Sequence, residues 1–402
     1  MRVLQINSVC GVGSTGRIAT DLYKVLEKQG HECLIAYGRG TAPEGINSYK
    51  IGTNLDNYIH VARTRLLDQH GYASKKSTIE LVKKIKKYNP DIIHLHNLHG
   101  YYLNLEVLFN YLAESNKPVV WTLHDCWSFT GHCSHFEYIQ CGQWRTQCEK
   151  CPQIREYPKS YMIDQARENY KYKKNLFTKL KNLTIITPSE WLYNLVKDSF
   201  LGSYPIQVIN NGIDLDIFSK SFTNFREIHK LENKIVLLGV ASNWGERKGL
   251  DSFIQLSKEL DFKYQIVLIG LNKKQVKLLP DNIIKINRTN SVQELVEIYS
   301  AADLFINPTL EDNFPTVNIE AMACELPIIA YNTGGNKEII DHTCGVVVDV
   351  NTSEELYKAI LNSSNLMKEE VKIMCRERVL KLYNKFDKFE EYIAEYKRSI
   401  NI

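Results

Sequence analysis

No run of about 18 apolar residues occurs in the 402-residue chain, so no segment reads as a transmembrane helix. The start is equally short of apolar length. Met1-Arg2 leads straight into Val3-Leu4-Gln5-Ile6, too brief for the hydrophobic stretch of a secretory signal and suited to a first strand. Neither sign of charge is in excess: 50 Lys and Arg against 46 Asp and Glu leave +4, too little to argue for a nucleic-acid partner. Solenoid repeats and low-complexity tracts are missing too. What remains is globular, with 44% hydrophobic and 24% charged residues and enough length for two domains. A cytoplasmic protein is expected, its ten cysteines serving as thiols or metal ligands rather than disulfides.

Several nucleotide motifs are incomplete. Gly11-Val-Gly-Ser-Thr-Gly16 follows a strand at 3–7 and precedes an amphipathic helix at 17–29, the context of a dinucleotide-binding G-x-G-x-x-G. The acidic residue that NAD binding wants about 20 residues on is lacking; the second strand ends in Tyr37-Gly38-Arg39. Arg39 suits a 2′-phosphate, which keeps an NADP-dependent nucleotide-sugar epimerase or reductase open as the alternative reading of this loop. Tyr170 and Lys174 have the Tyr-x3-Lys spacing of such enzymes, without a Ser partner that the sequence places. The loop also lacks the Gly-Lys-Ser/Thr ending of a P-loop. The other reading is a nest of backbone N–H groups at Gly13, Ser14 and Gly16, at a helix N-terminus on the rim of a cleft, where it meets a diphosphate or an acceptor.

The most informative stretch is 303–345. Residues 304–307 form an apolar run, Pro308 stops it, and a polar turn leads to a short helix at 316–324. A second strand at 327–331 ends in Gly334-Gly335, giving one βαβ unit whose loops open at the carboxyl ends of its strands. The helix is apolar nearly all round, so it should be buried. Glu320 is its only charge, and a buried carboxylate is costly unless something polar meets it. Either ligand hydroxyls or a buried Lys or Arg would answer that cost.

Glu320-Ala-Met-Ala-Cys-Glu-Leu-Pro327, with Asp312 eight residues before Glu320, resembles the E-x7-E signature of retaining glycosyltransferases, specifically glycosyltransferase family 4. In that family a Glu and Gly-Phe-Gly precede Glu-Ala-Met-Ala-Cys-Gly-x-Pro. Here Asp312 stands where Glu is usual, Asn313-Phe314-Pro315 replaces Gly-Phe-Gly, and Glu311 is one residue out of register. The resemblance implies the GT-B fold: two Rossmann-like α/β domains facing a cleft, with a C-terminal helix crossing back to the N-terminal domain. A nucleotide-sugar epimerase of the GT-B type would share that fold and is the other form of the alternative reading of the Gly11–Gly16 loop. It implies a retaining hexosyltransferase working from a nucleotide-sugar, on a glycan or lipid-linked glycan acceptor of a bacterial surface polysaccharide. Residue by residue, it implies that Lys248, in Lys248-Gly249, meets the donor diphosphate. The family's usual Arg a few residues earlier is missing, leaving Arg247 as the nearby candidate. Glu320 meets the ribose. Asp312, the backbone from Asn313 through Phe314 and Pro315 to Thr316, and His124 of the strand-ending His124-Asp125 meet the sugar. No catalytic cofactor is implied.

Cys126, Cys133, Cys141, Cys148 and Cys151 fall within one insert, 126–152. The last four spell C-x7-C-x6-C-x2-C, which suits a structural zinc with Cys126 spare; free thiols are the other reading. Similar inserts after His-Asp-x-Trp occur in the branch of the family that resembles the colanic-acid transferases. His94, His96 and His99 lack accompanying metal ligands and are expected along the cleft end of a strand or satisfied in the core. Asp214-x-Asp216 mimics a metal-binding D-x-D but follows an Asn-Gly turn, so a structural turn is expected. The lysine-rich helix at 77–88 is a solvated face or a contact with anionic membrane, giving at most peripheral attachment to the inner membrane. The domains are expected at 1–218, with an acceptor role, and 219–385, with the donor role. A polar linker at 219–232 joins them, and a closing helix spans 386–402, with Phe386, Phe389, Ile393 and Tyr396 on one face.

Overall fold

The computed structural model describes residues 1–401. The chain forms two α/β units, 1–209 with the residues from Phe389 onward, and Asn210–Lys388. In the first, the order is β1 (Arg2–Val9), α1 (Gly13–Lys28), β2 (Glu32–Arg39), β3 (Ser48–Lys50), α2 (Asn54–Leu67), α3 (Lys75–Tyr88), β4 (Ile92–Leu95), α4 (Leu105–Ser115), β5 (Val119–Thr122), α5 (Ala166–Phe177), β6 (Leu183–Thr187), α6 (Glu190–Lys197) and β7 (Ile206–Val208). Its seven strands are all parallel, in the order β3-β2-β1-β4-β5-β6-β7. The order reverses between β1 and β4, so the loops leaving those two strands diverge and leave a crevice at their carboxyl ends.

The second unit runs α7 (Phe225–His229), β8 (Ile235–Val240), α8 (Leu250–Glu259), β9 (Tyr264–Ile269), α9 (Lys273–Leu278), β10 (Ile283–Ile286), α10 (Val292–Ala301), β11 (Leu304–Asn307), α11 (Thr316–Ala323), β12 (Ile328–Tyr331), α12 (Asn336–Ile339), β13 (Gly345–Val348), α13 (Ser353–Leu361) and α14 (Glu369–Leu382). Its six parallel strands lie in the order β10-β9-β8-β11-β12-β13, with the switch between β8 and β11. The expected βαβ unit is β11-α11-β12. Helices cover both faces of a parallel sheet, which is why these strands are continuous apolar runs rather than alternating ones.

The chain leaves the first unit at Ile209, ahead of the expected boundary at 218, because Ile213, Leu215 and Phe218 are buried in the second unit's core. The stretch 219–232 is not a free linker either. It holds α7, and Phe225 and Leu231 are buried in that same core. The last helix, α15 (Lys385–Ser399), begins one residue before the expected 386, and the division falls after Lys388. Phe389, Tyr392, Ile393 and Tyr396 are buried with β1, β2 and α1, whereas Phe386 is exposed. Thr352 caps α13, accepting from Glu355 N, while the Glu355 carboxylate goes to Lys358 instead of back to the cap, so the Thr-x-x-Glu pattern makes only half of a capping box.

Candidate functional site

The second unit gathers its expected site residues at the switch point. After β8 the chain makes a single 3₁₀ turn, Glu246–Lys248, and Gly249 turns it into α8 at φ +72°. A Cβ on Gly249 would sit 2.0 Å from the Pro308 carbonyl oxygen, so the Lys248-Gly249 loop is pressed against the end of β11 as only glycine allows. The Arg247 carbonyl accepts from Leu310 N at 2.8 Å, and its guanidinium reaches the Glu311 carbonyl at 3.4 Å. Lys248 Nζ pairs with the Asp312 carboxylate, so two residues expected to hold different parts of a donor meet each other.

Asp312 also accepts from Asn313 N at 2.9 Å. Gly334 crosses behind it with its own Cα so close that a Cβ would lie 1.8 Å from the Asp312 carbonyl. Gly335 N donates to the Asn313 carbonyl at 2.8 Å. Phe314 is buried edge-on to Tyr383, and Pro315 opens α11 at its N-cap with a fixed φ of −70°. Thr316 is the first helical residue, so the N-terminal end of α11 follows directly on Asp312–Pro315.

Glu320 is 7% exposed on α11. Its Oε2 accepts from the hydroxyl of fully buried Tyr299 on α10 at 3.2 Å. This neutral phenol is a partner the sequence did not suggest. It satisfies a lone pair without cancelling the charge. Burial and the Glu320 charge together push the Tyr299 hydroxyl well above its ordinary value, so it remains a donor. A chain of amides, Asn307 to Asn318 at 2.8 Å and Asn318 to Asn336 at 2.8 Å, fixes α11 against β11 and α12; its members lie too far apart in sequence for any pattern to flag. At Glu325, where the family pattern has Gly, the backbone takes φ +62° and the carboxylate pairs with Lys220 at 2.7 Å.

In the first unit, α1 starts at Gly13 rather than at 17, so Gly13, Ser14 and Gly16 belong to its first turn. Gly16 is buried where a Cβ would come within 3.2 Å of Gly11 N; Val12, Gly13 and Ser14 are exposed, and Val12 at the N-cap offers no capping side chain. β4 and the loops after β4 and β5 carry a histidine cluster. His94 is buried between Thr122 Oγ1 at 2.8 Å and the Tyr396 hydroxyl at 2.5 Å, a core role. His96 joins Gln5 Oε1 at 3.0 Å to His124 Nε2 at 3.2 Å. Burial lowers the His124 pKa to about 4, offset in part by Asp125, so its ring is neutral at pH 7.

The neighbouring pair has no local signal. His99 Nε2 stands 2.8 Å from Asp125 Oδ2, and His99 Nδ1 shares a hydrogen bond of 2.9 Å with the Tyr157 hydroxyl. Burial would raise the Asp125 pKa, but the charge and hydrogen bond of His99, with His135 and the Trp127 N–H, take it well below the carboxylate range. Asp214 accepts from Asp216 N and Ile217 N and pairs with Lys385 at 2.6 Å, as a structural turn should. Among the described residues no group of three or more His, Cys, Asp or Glu is already arranged to hold a metal ion.

Residues 15–217 match the family Glycosyltransferase Family 4, and residues 221–374 match Glycosyl transferases group 1. The chain belongs to glycosyltransferase family 4. It is 25% identical over 386 residues to WcaC of Escherichia coli K12, named for colanic acid biosynthesis, covering 92% of this chain and 91% of WcaC. Sucrose-phosphate synthase from Thermosynechococcus elongatus has the same fold, with a TM-score of 0.72 at 16% identity over 99% of this chain and 98% of that one. HepE of Anabaena, solved with UDP, gives 0.69 at 16% identity over 99% and 100%. The fold is therefore GT-B, and the chain is a glycosyltransferase.

Proposed function

We propose that this chain is a retaining hexosyltransferase that moves a sugar from a nucleotide-sugar onto a hydroxyl of a growing, lipid-linked surface polysaccharide. The observation that carries the reading is the convergence of Lys248, Asp312 and the Glu320 helix at the carboxyl ends of the second sheet's two central strands, β8 and β11. Lys248, with Arg247, holds the donor diphosphate. The Glu320 carboxylate takes the ribose diol, with Tyr299 fixing its other side. Asp312 and the backbone of 313–316 take the sugar, as does His124, neutral and able to donate or accept. HepE, of the same fold, was solved with UDP and with UDP-glucose, which favours a nucleotide-sugar; WcaC points to an exopolysaccharide.

On donor binding, Lys248 exchanges Asp312 for the diphosphate, whose charge grows as the bond to the anomeric carbon breaks. A fixed cation and a helix N-terminus lower the energy of that charge more in the transition state than before it. The acceptor oxygen bonds to the anomeric carbon from the face the phosphate leaves, and the departing phosphate oxygen takes the acceptor proton. No catalytic metal is needed for this sequence of events. The exposed first turn of α1 borders the acceptor.

The experiment is release of nucleoside diphosphate from a panel of nucleotide-sugars with a membrane-extract acceptor, followed by NMR of the product's anomeric proton. The reading predicts turnover with one donor and the donor's anomeric configuration in the product. Inverted configuration would sink retention, and NADP-dependent redox turnover would restore the reductase alternative.

A further inference from the structure

The insert 126–152 has little regular structure to hold it, only the single turns Trp127–Phe129 and Gln143–Arg145. Yet it is ordered around a small core in which Phe129, Phe136 and Trp144 pack edge-to-face and stacked. Beside this core is one small cavity, and Cys133, Cys141, Cys148 and Cys151 all line it. Cys126, the fifth cysteine of the insert, does not; its backbone N–H donates to the Ser134 carbonyl at 2.9 Å instead.

Two close approaches gather Cys133, Cys148 and Cys151, and Cys141 lies on the wall of the same cavity. Cys133 and Cys151, far apart along the loop, share a thiol–thiol hydrogen bond. Gly131 is pressed onto Cys148, where a Cβ would lie 2.7 Å from the Cys148 Cβ, so Gly131 lets the strip leading into Cys133 close on the C-x2-C turn. Asp164 then ties that turn to α5, accepting from Cys151 N at 2.6 Å and Ala166 N at 2.9 Å. All four are free cysteines with no disulfide between them. The donor set fits zinc, which takes four thiolates in a tetrahedron. A buried cation, Lys173, stands on the Trp127 carbonyl at 2.5 Å, next to the insert's core.

We infer that Cys133, Cys141, Cys148 and Cys151 bind one structural zinc ion that fastens the 126–152 insert to α5. On binding, four S–H bonds lose their protons to solvent and four Zn–S bonds form, drawing the thiols inward. The zinc does no chemistry on substrate. This goes beyond the transfer reaction and stands or falls separately from it.

The test is metal analysis of the full, untagged chain purified without chelator, together with titration of its thiols by an organomercurial in the presence of a zinc indicator. The expected result is one zinc per chain, released in step with modification of four thiols, and a lower Tm after release. Cobalt substitution should give the intense visible bands of a tetrahedral thiolate site. Cys148→Ser and Cys151→Ser should lose zinc, and Cys126→Ser should keep it. The wild-type titration decides the matter even where a serine variant fails to fold. Metal-free protein showing ten reactive thiols on denaturation would overturn the inference, as would fewer than ten thiols from disulfides, or zinc retained in Cys148→Ser.

Discussion

Lys248 closes an ion pair onto Asp312, joining the loop after β8 to the loop after β11. Both side chains are about a quarter exposed, so the pair adds at most about 1 kcal/mol to stability. In the proposed reaction its value is in position: it would hold a cation where the leaving diphosphate needs one.

Lys248→Ala should therefore leave Tm within a degree or two and lower kcat/KM for the donor by roughly 10²–10³-fold, the usual loss when a transition-state charge partner is removed. Steady-state kinetics beside a thermal melt checks this. A large fall in Tm with kcat/KM preserved would make Lys248 structural.

Gly249→Ala should do the opposite. The left-handed φ and the Pro308 carbonyl both exclude a methyl group, so the variant should be destabilised by more than about 1 kcal/mol. Gly245→Ala, in open space at φ −117°, is the matched control and should be near neutral. Thermal unfolding of the two variants side by side separates the outcomes.

How much of this could be read from the sequence depended on whether the signal was local. Parallel strands buried on both faces are apolar runs, so β11 and β12 stood out, as did the glycines that let loops approach each other. The pairs at the candidate residues of each unit are not local: in the second unit Tyr299 meets Glu320, and in the first His99 meets Asp125, through folding alone. Helix α2 has no local signal for a different reason. It buries Asn57, His60 and Thr64 and turns Leu55, Tyr58 and Ile59 outward, so its apolar period marks the wrong face. The contacts divide the chain at Ile209 rather than at 218 because Ile213, Leu215 and Phe218 sit in a turn-rich stretch whose core only the fold reveals.

That outward face sets a prediction about attachment. Leu55, Tyr58, Ile59 and Leu66 are exposed on α2 alongside Arg63 and Arg65, and Tyr161, whose N–H donates to the Arg65 carbonyl at 2.7 Å, brings exposed Met162 and Ile163 beside them. On α3, by contrast, Lys83 pairs with Glu80 and the apolar residues Leu81 and Ile85 are inside. Sedimentation with anionic vesicles should fall several-fold in Tyr58→Ser/Ile59→Ser and only modestly in Lys83→Gln/Lys87→Gln. The reverse order would return the membrane contact to α3.

Acid should destabilise the first unit early. Burial lowers His60 to about 3 and His124 to about 4, and takes His70, His94 and His96 well below the ordinary value of 6.5. Each stays neutral when folded but takes a proton when unfolded below about pH 6.5. Their stabilisation is full above that pH and is lost as pH falls, by up to about 1.4 kcal/mol per pH unit for each histidine. His132, raised by Asp68 against its burial, runs the other way and offsets part of this. Tm should drop between pH 6.5 and 5, above the carboxylate range, and His60→Asn should flatten the slope. A Tm flat to pH 5 contradicts the neutral histidines.

The most direct test of the donor site compares binding of a nucleoside diphosphate and its 2′,3′-dideoxy analogue, by calorimetry, to wild type and Glu320→Gln. A carboxylate holding the ribose diol predicts that wild type prefers the natural nucleotide by roughly 10–100-fold, the worth of charge-assisted hydrogen bonds. Glu320→Gln should lose most of that preference while binding the dideoxy form as wild type does. Equal affinity of wild type for the two nucleotides would contradict the assignment of Glu320 and, with it, the donor site built around that helix.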